Sequence, residues 1–301
     1  MKKIIQTAFT LIELLVVIAI IGILSGLIVV TMNGVTQKAN IAKAQVFSNS
    51  LRNALMLNLI SEWKFDGAGL NDGDNATIAY VQDTWSGGNS CSINGTPKVK
   101  TGVNCVGGSC LLFNGSTDSL DCGNSSSLNM GGSSVTIGTW IKLNSLNVYH
   151  NIINKRGAAS TWPYQIDVNN SNNVLDFSVQ GTAYGVITSG NSLSAGTWYY
   201  VVGIRDAAAG KLYLYINGVS AATPVSESVG NTSNTAILAI GNRSSANFFN
   251  GLMDDTRIFN AAMPVSRIRS DYYAGLNNIF SVGRISAEEY NQRIKTLILH
   301  E

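Results

Sequence analysis

Few side chains in this sequence are equipped for chemistry. Of its 301 residues, 18 are acidic, 20 are basic, two are histidine and four are cysteine. One carboxylate, Glu13, stands inside the apolar run from Phe9 to Val30, and the next charged residue is Lys38. A lone carboxylate inside a membrane helix costs about 2–3 kcal/mol, so a cationic partner has to come from outside that segment. Glycoside hydrolysis would need two carboxylates on one face, about 5.5 Å apart for retention or ~6.5–9.5 Å for inversion. Between residues 62 and 276 the only glutamates are Glu62 and Glu227, far apart in sequence. Asp254 and Asp255 are adjacent, and on a strand they face opposite sides. His150 is the single candidate base in that stretch, with no nucleophile-elbow sequence to accompany it. Zinc spacing, a phosphate-binding loop and a dinucleotide fingerprint are all missing, and "NDGDNAT" departs from the EF-hand pattern. The chain is therefore expected not to be an enzyme.

The elements that carry these residues fall into two kinds. Phe9 to Val30 is twenty-two residues long, about 33 Å as a helix and enough for one membrane crossing. Lys2 and Lys3 in "MKKIIQTA" hold the N-terminus on the cytoplasmic side. From residue 31 to 61 the pattern stays helical and becomes amphipathic, with Ala44, Phe47, Leu51, Leu55 and Leu59 at steps of three and four. At "SEWKFDG" the period switches to two. Strand-sized runs then follow, among them "CLLFNG", "SVTIGTWIKL", "TWYYVVGIRD", "KLYLYING" and "LMDDTRIFN", separated by "NGST", "AAAG" and "NGV" turns. The predicted fold is mainly β: a long N-terminal helix leading into a two-sheet sandwich, with a short C-terminal helix. Ser286 is the expected N-cap of that helix, and Glu289 completes a capping box. A net charge of +2 and the lack of a basic run argue against a nucleic-acid partner. Cys91, Cys105, Cys110 and Cys122 lie in one early stretch of a domain outside the cytoplasm, an even count that implies two disulfides. Three connectivities are open. Parity in "CLLFNGSTDSLDC" puts Phe113, Leu120 and Cys122 inward and Cys110 outward, which favours Cys105–Cys110 with Cys91–Cys122.

The stretch "AFTLIELLVVIAIIGIL" closely resembles the class III leader and first helix of type IV pilins and pseudopilins. The resemblance implies that a prepilin peptidase cuts between Ala8 and Phe9 and that Phe9 is then N-methylated. It departs from the family at Ala8, where a glycine is usual. Glu13 becomes the fifth residue of the mature chain. Its implied role is assembly: the new α-amine of a neighbouring subunit's first residue neutralises it in the filament core, where each charge alone would be expensive.

From Trp63 to Gly275 the order of phrases, closing on "FNGLMDDTRIFNAAMPVSRIRSDYYAG", looks like a laminin-G-like jelly roll of the concanavalin A-like superfamily. That family is largely a binding and adhesion scaffold with some glycosidase branches, and the Glu-x-Asp-x-x-Glu stretch of one such branch does not occur here. The resemblance implies adjacent first and last strands. It also implies a structural Ca²⁺ at their rim, with Asp66 and Asp254 as the matching positions; the bland alternative has both capping turns or pairing with Arg257. Period-two parity turns Tyr213, Tyr215 and Trp140 outward, where with Asp176 and Gln180 they are candidates for a sugar-stacking platform. Trp162 and Tyr164, read as loop residues, are rival candidates, and cross-strand pairing is the bland reading of all of these aromatics.

The segmentation expected is leader 1–8, transmembrane helix 9–30, amphipathic helix 31–61, jelly roll 62–276 and helical tail 277–301. The expected role is a pilin-like surface subunit, a minor pilin or pseudopilin, whose head adheres to a glycan or protein. Its partners would be other pilin subunits, the prepilin peptidase and the membrane. It would sit in the cytoplasmic membrane before assembly and on the cell surface afterwards. The alternatives are a purely structural head in a secretion or DNA-uptake pseudopilus and, less favoured, an anchored glycosidase.

Overall fold

The computed structural model describes residues 15–16, 18–20, 58–86, 88–156, 161–243 and 247–300. Ala8, Phe9 and Glu13, and most of the helix expected to run to residue 61, lie outside the described residues; Leu15, Val16, Ile18, Ala19 and Ile20 are helical, whereas Leu59, expected on the helix, is on a strand. Among the described residues no helix is long and apolar enough to cross a membrane. The chain divides after Leu57, and the unit that begins at Asn58 is taken by itself.

β1 (Leu59–Trp63) opens this unit, three residues before the expected start at 62. It is followed by β2 (Ser92–Asn94), β3 (Lys98–Thr101), β4 (Ser109–Asn114) and β5 (Ser119–Asp121). The longer middle strands are β6 (Val135–Leu143), β7 (His150–Asn154), β8 (Trp162–Val168), β9 (Val174–Gln180), β10 (Tyr184–Ser192), β11 (Trp198–Asp206) and β12 (Lys211–Ile216). β13 (Val219–Ser220), β14 (Val225–Ser226) and β15 (Ala239–Ile240) are short, and β16 (Asn250–Phe259) closes the sandwich. Two helices come last, α1 (Val265–Ser281) and α2 (Ala287–Ile298).

The first sheet runs β13-β12-β11-β6-β16-β4-β3, with β1 paired to β16 and β14 to β12. The second runs β10-β9-β8-β7-β15-β5-β2. Every pairing is antiparallel, and the first and last strands lie side by side, with Glu62 opposite Arg257. The β12–β13 turn uses Asn217 and Gly218, both at positive φ (53° and 77°), the pair of conformations a tight hairpin requires.

Inner faces follow the period-two reading. Phe113, Leu120, Ile137, Ile141, Leu212 and Leu214 join Tyr164, Ile166 and Phe177 of the second sheet in the main core. Gly203 permits the close approach of the two sheets, since a Cβ there would overlap the Phe177 ring. The disulfides are Cys91–Cys122 and Cys105–Cys110, the favoured pairing.

A second apolar cluster lies on the outer face of the first sheet. Ile268, Tyr272, Leu276 and Ile279 of α1, spaced by four, four and three, pack there with Trp140, Trp198, Tyr200, Val202 and Ile204. Tyr272 stacks on Trp140 at 5.6 Å between ring centroids. A Cβ at Gly275 would overlap the Trp140 indole, so the helix reaches the sheet only because a glycine stands there. α1 runs through the expected boundary at 276/277, and the helical tail is therefore no separate segment. Ser286 does cap α2, its side chain accepting from Glu289 N at 3.0 Å. The reciprocal half of the box is not formed; the Glu289 carboxylate accepts instead from Arg293, at 2.7 Å.

Candidate ligand-binding face

The outer face of the second sheet is built from the residues that alternate with the core: Asn151 on β7, Gln165 and Asp167 on β8, Asp176 and Ser178 on β9, and Tyr184 on β10. Register places Asp167 opposite both Asp176 and Asn151, and Gln165 opposite Ser178. A shift in pairing between Trp162 and Gln165 turns Trp162 to this same face, opposite Gln180. Its indole meets the Arg156 guanidinium, 3.8 Å from the ring centroid, and the Tyr184 ring, edge-on at 6.0 Å between centroids.

Polar groups here are only partly answered. Asp167 accepts from the Tyr149 hydroxyl and, at 2.7 Å, from Gln165 Nε2. Asn154 Nδ2 donates to Asn151 Oδ1 at 2.7 Å, and Asn169 Nδ2 donates to Asp176 Oδ2 at 3.3 Å. Four buried atoms on this face have no hydrogen-bond partner among the described residues: Asn151 Nδ2, Gln165 Oε1, Asp176 Oδ1 and Trp162 Nε1. A buried polar atom left unpaired costs about 1–3 kcal/mol, and four on one face of a native fold call for a reason. Burial pushes the Asp167 carboxyl up to about 6, with the Asp176 charge adding to that; the Tyr149 and Gln165 donors oppose the rise. Burial likewise raises the Tyr149 and Tyr184 hydroxyls.

The sequence-predicted aromatics part company here. Trp162 belongs to this face, but on a strand and not in a loop. Tyr164 is in the main core, its hydroxyl donating to Leu128 O at 3.0 Å. Trp140 is buried beneath α1, and Tyr213 and Tyr215 pack against the same helix-covered cluster. Their outward parity is as expected. They sit on the other sheet from Asp176 and Gln180, so the platform of outward aromatics with these two polar groups does not form. Asn151, Gln165, Asp167 and Tyr184 were missed, although "YQIDV" alternates polar with apolar and could have drawn attention to Gln165 and Asp167. His150 has a structural place: its ring nitrogens meet Ser145 O and Asn250 N, and burial lowers its pKa.

At the rim between β1 and β16, Asp66 and Asp254 converge on one loop. Asp66 Oδ1 accepts from Ser109 N at 2.7 Å, and Asp254 Oδ2 accepts from Val106 N at 2.9 Å and Gly107 N at 3.1 Å. These are the turn-capping contacts of the bland reading. Asp255 pairs with Arg257 at 3.5 Å, and Arg257 pairs with Glu62 at 2.7 Å. Phe65, two residues past the end of β1, and Asp255 on β16 both hold positive φ (58° and 46°), a strain of about 1–3 kcal/mol each. Burial, then repulsion from Asp255 and Asp66, drives the Asp254 carboxyl well above the ordinary range. Sγ atoms of Cys105 and Cys110 also lie near Asp254, but they are bonded to each other and offer no thiolate. The donors that remain are hard oxygens, Asp66 Oδ2 and Asp254 Oδ1 among them, which suits Ca²⁺ over zinc.

The family model for the concanavalin A-like lectin/glucanases superfamily matches residues 114–269, more than half of the chain. The chain belongs to the concanavalin A-like lectin/glucanase superfamily. A model of the prokaryotic N-terminal methylation motif matches residues 5–29, ahead of the concanavalin A-like head. No curated protein sequence matches the chain. Among solved structures, the head is similar to the binding domain of Paraclostridial Mosquitocidal Protein 1, with 15% identity over 74% of this chain and 53% of that one, at a TM-score of 0.56. It is also similar to Domain 4 of AbnA, a GH43 extracellular arabinanase from Geobacillus stearothermophilus, in complex with arabinotriose: 16% identity over 71% of this chain and 97% of that one, TM-score 0.55. The receptor binding domain of botulinum neurotoxin D matches at 16% identity over 73% and 53%, TM-score 0.53. The chain spans about half the length of the two toxin domains. At these identities the likeness is one of fold.

Proposed function

We propose that this chain is a pilin-like filament subunit that displays its concanavalin A-like head at the cell surface, where the outer face of the second sheet binds a glycan. The observation that carries the reading is the set of four unpaired buried atoms on the face that carries Trp162. Two of them donate (Asn151 Nδ2 and Trp162 Nε1) and two accept (Gln165 Oε1 and Asp176 Oδ1). A sugar hydroxyl both donates and accepts, so a polyhydroxylated ligand answers such a mixed set where a simple cation or anion does not. The Tyr184 ring, 56% exposed, supplies an apolar surface beside them for the C–H face of a pyranose.

The N-terminal motif supplies the display. Cleavage between Ala8 and Phe9 would create the α-amine that pairs with Glu13 of a neighbouring subunit, and Glu13 would serve as the register device of the filament. At the rim, Asp66, Asp254 and Asp255 would hold Ca²⁺. The ion would neutralise carboxylates that repel one another and so fix the loop from Val106 to Ser109 against β16.

The test uses the full chain in detergent on a glycan array, beside Trp162→Ala and Asp176→Ala. A glycan retained by the wild type and weakened at least tenfold in both variants supports the reading. Unchanged binding in the variants places the glycan site away from this face, and an array without any signal assigns the head a structural role. For display, Glu13→Ala should leave expression and the head intact while the chain vanishes from sheared filaments. Wild-type levels in filaments would overturn the assembly role.

A further inference from the structure

The helix-covered face of the first sheet carries two cations that no described residue neutralises. Lys142 projects outward from β6, directly across from Trp198 of β11, with its ammonium 5.8 Å from the Trp198 ring centroid. Arg284, in the link between α1 and α2, stands close enough that its charge acts on Lys142, and burial together with that repulsion lowers the Lys142 pKa. Neither residue forms an ion pair among the described residues. Arg293 is also nearby, donating to Trp198 O at 3.2 Å, but its charge is answered by Glu289 at 2.7 Å. Among the described residues, the side-chain acceptor that Arg284 meets is the neutral Asn104 Oδ1, at 3.1 Å from Nη2.

Two further donors at this place are left over. Trp198 is 4% exposed and its Nε1 is unpartnered; Arg284 Nε is buried and unpartnered as well. A like-charged pair beside two vacant N–H donors, with no carboxylate acting on it, is poor design for a packing interface. It is the donor set of an anion site, in which a planar or tetrahedral oxyanion accepts several N–H bonds at once.

We infer that Lys142, Arg284 and Trp198 form a binding site for one compact oxyanion, a carboxylate, sulfate or phosphate group. The inference stands apart from the glycan face, which lies on the other sheet. A free ion and the acidic group of a charged saccharide share the chemistry the site reads, and the experiment separates them.

The full chain in detergent is titrated calorimetrically with sodium sulfate, sodium phosphate and sodium glucuronate, at ionic strength held constant with chloride and with glucose as the uncharged control. One molar equivalent of at least one oxyanion should bind, with Kd weakened at least tenfold by Lys142→Met and by Arg284→Gln and unchanged by Lys211→Met at the exposed first residue of β12. Binding of glucuronate alone assigns the group to a saccharide; binding of inorganic ions assigns a free-ion site. Thermal unfolding in chloride provides the second readout. If the two cations repel each other in the absence of an oxyanion, Lys142→Met unfolds no earlier than the wild type. An earlier transition in Lys142→Met, absence of oxyanion binding by the wild type, or equal affinity in the variants would overturn the inference.

Discussion

The two outer faces of the sandwich are made by the same alternation of side chains, and they have opposite fates. On the first sheet, the outward residues Trp140, Trp198, Tyr200, Val202 and Ile204 are large and apolar, and α1 and α2 cover them. On the second, the outward residues Asn151, Gln165, Asp167, Asp176 and Ser178 are polar, and among the described residues no helix packs on them. Covering the first face removes apolar area worth about 1.5–3 kcal/mol for each fully buried large side chain. The second face instead holds unpaired polar atoms that weigh against stability until something answers them. The lesson is that an outward aromatic in a jelly roll is as readily a second core as a ligand platform, and a polar set with unmet hydrogen bonds is the better guide to a binding face.

The largest effect should come from breaking the covered face. Trp140→Ala removes the ring on which Tyr272 stacks and is expected to cost about 3–5 kcal/mol in denaturant unfolding. Glycan affinity at the other face should stay within twofold. Loss of binding without loss of stability would return Trp140 to the ligand site and undo the contrast.

On the polar face, Asp167 titrates at about 6 in the folded chain against an ordinary 3.8. The folded state therefore holds the proton more tightly, so this group favours folding below about pH 4 and its contribution is lost as pH rises through 6. A shift of about two units corresponds to about 3 kcal/mol. Asp167→Asn should flatten the stability profile between pH 4 and 6 and leave the variant more stable than the wild type at pH 7. A profile unchanged by the substitution would mean that another group titrates there.

Asp254 is the acidic intrusion on the covered face, opposite Trp140 across β6 and β16. Ca²⁺ at a hundred times its Kd should stabilise the wild type by about 2.7 kcal/mol, seen as a raised unfolding midpoint that a chelator reverses. Asp66→Asn combined with Asp254→Asn should abolish the response. An equal response in the double variant would place the ion elsewhere.

The smallest effect sharpens the edge of the covered face. Ser286→Ala deletes the cap on α2 and should cost about 1 kcal/mol. With half of the capping box absent, Glu289→Ala should act through its pair with Arg293 and leave the cap in place, which amide exchange of the first α2 turn would report.

Much of this molecule could be read in its one-dimensional pattern, and the limits of that reading have a common cause. Strand parity in "CLLFNG", "SVTIGTWIKL" and "KLYLYING" assigned inner and outer sides correctly, because successive side chains on a strand must alternate. The same parity ordered Cys110 and Cys122 on opposite sides and so favoured the observed disulfides. It could not say which sheet a strand joins. Tyr213 and Asp176 both point outward, yet they lie on opposite layers, because strand order is decided by pairing between segments far apart in sequence. Trp162 eluded the alternation because a local shift in register turns it outward. Helix α1 was absorbed into the closing phrase of the domain, its pattern not separated from the strand that precedes it.

By itself, the sequence determined the local periods, the turn chemistry at Asn217–Gly218, the methylation motif around Phe9 and Glu13, and the N-cap at Ser286. All of these depend on residues within one or two turns of each other. Only the tertiary structure decided that the outward aromatics of the first sheet are buried, that Gly275 lets a helix lie on Trp140, and that Asn151, Gln165, Asp176 and Trp162 meet on one face with atoms unpaired. Burial and hydrogen-bond satisfaction are properties of what lies across a gap in space. A side chain contributes to them, but the surroundings that decide them come from distant segments of the chain.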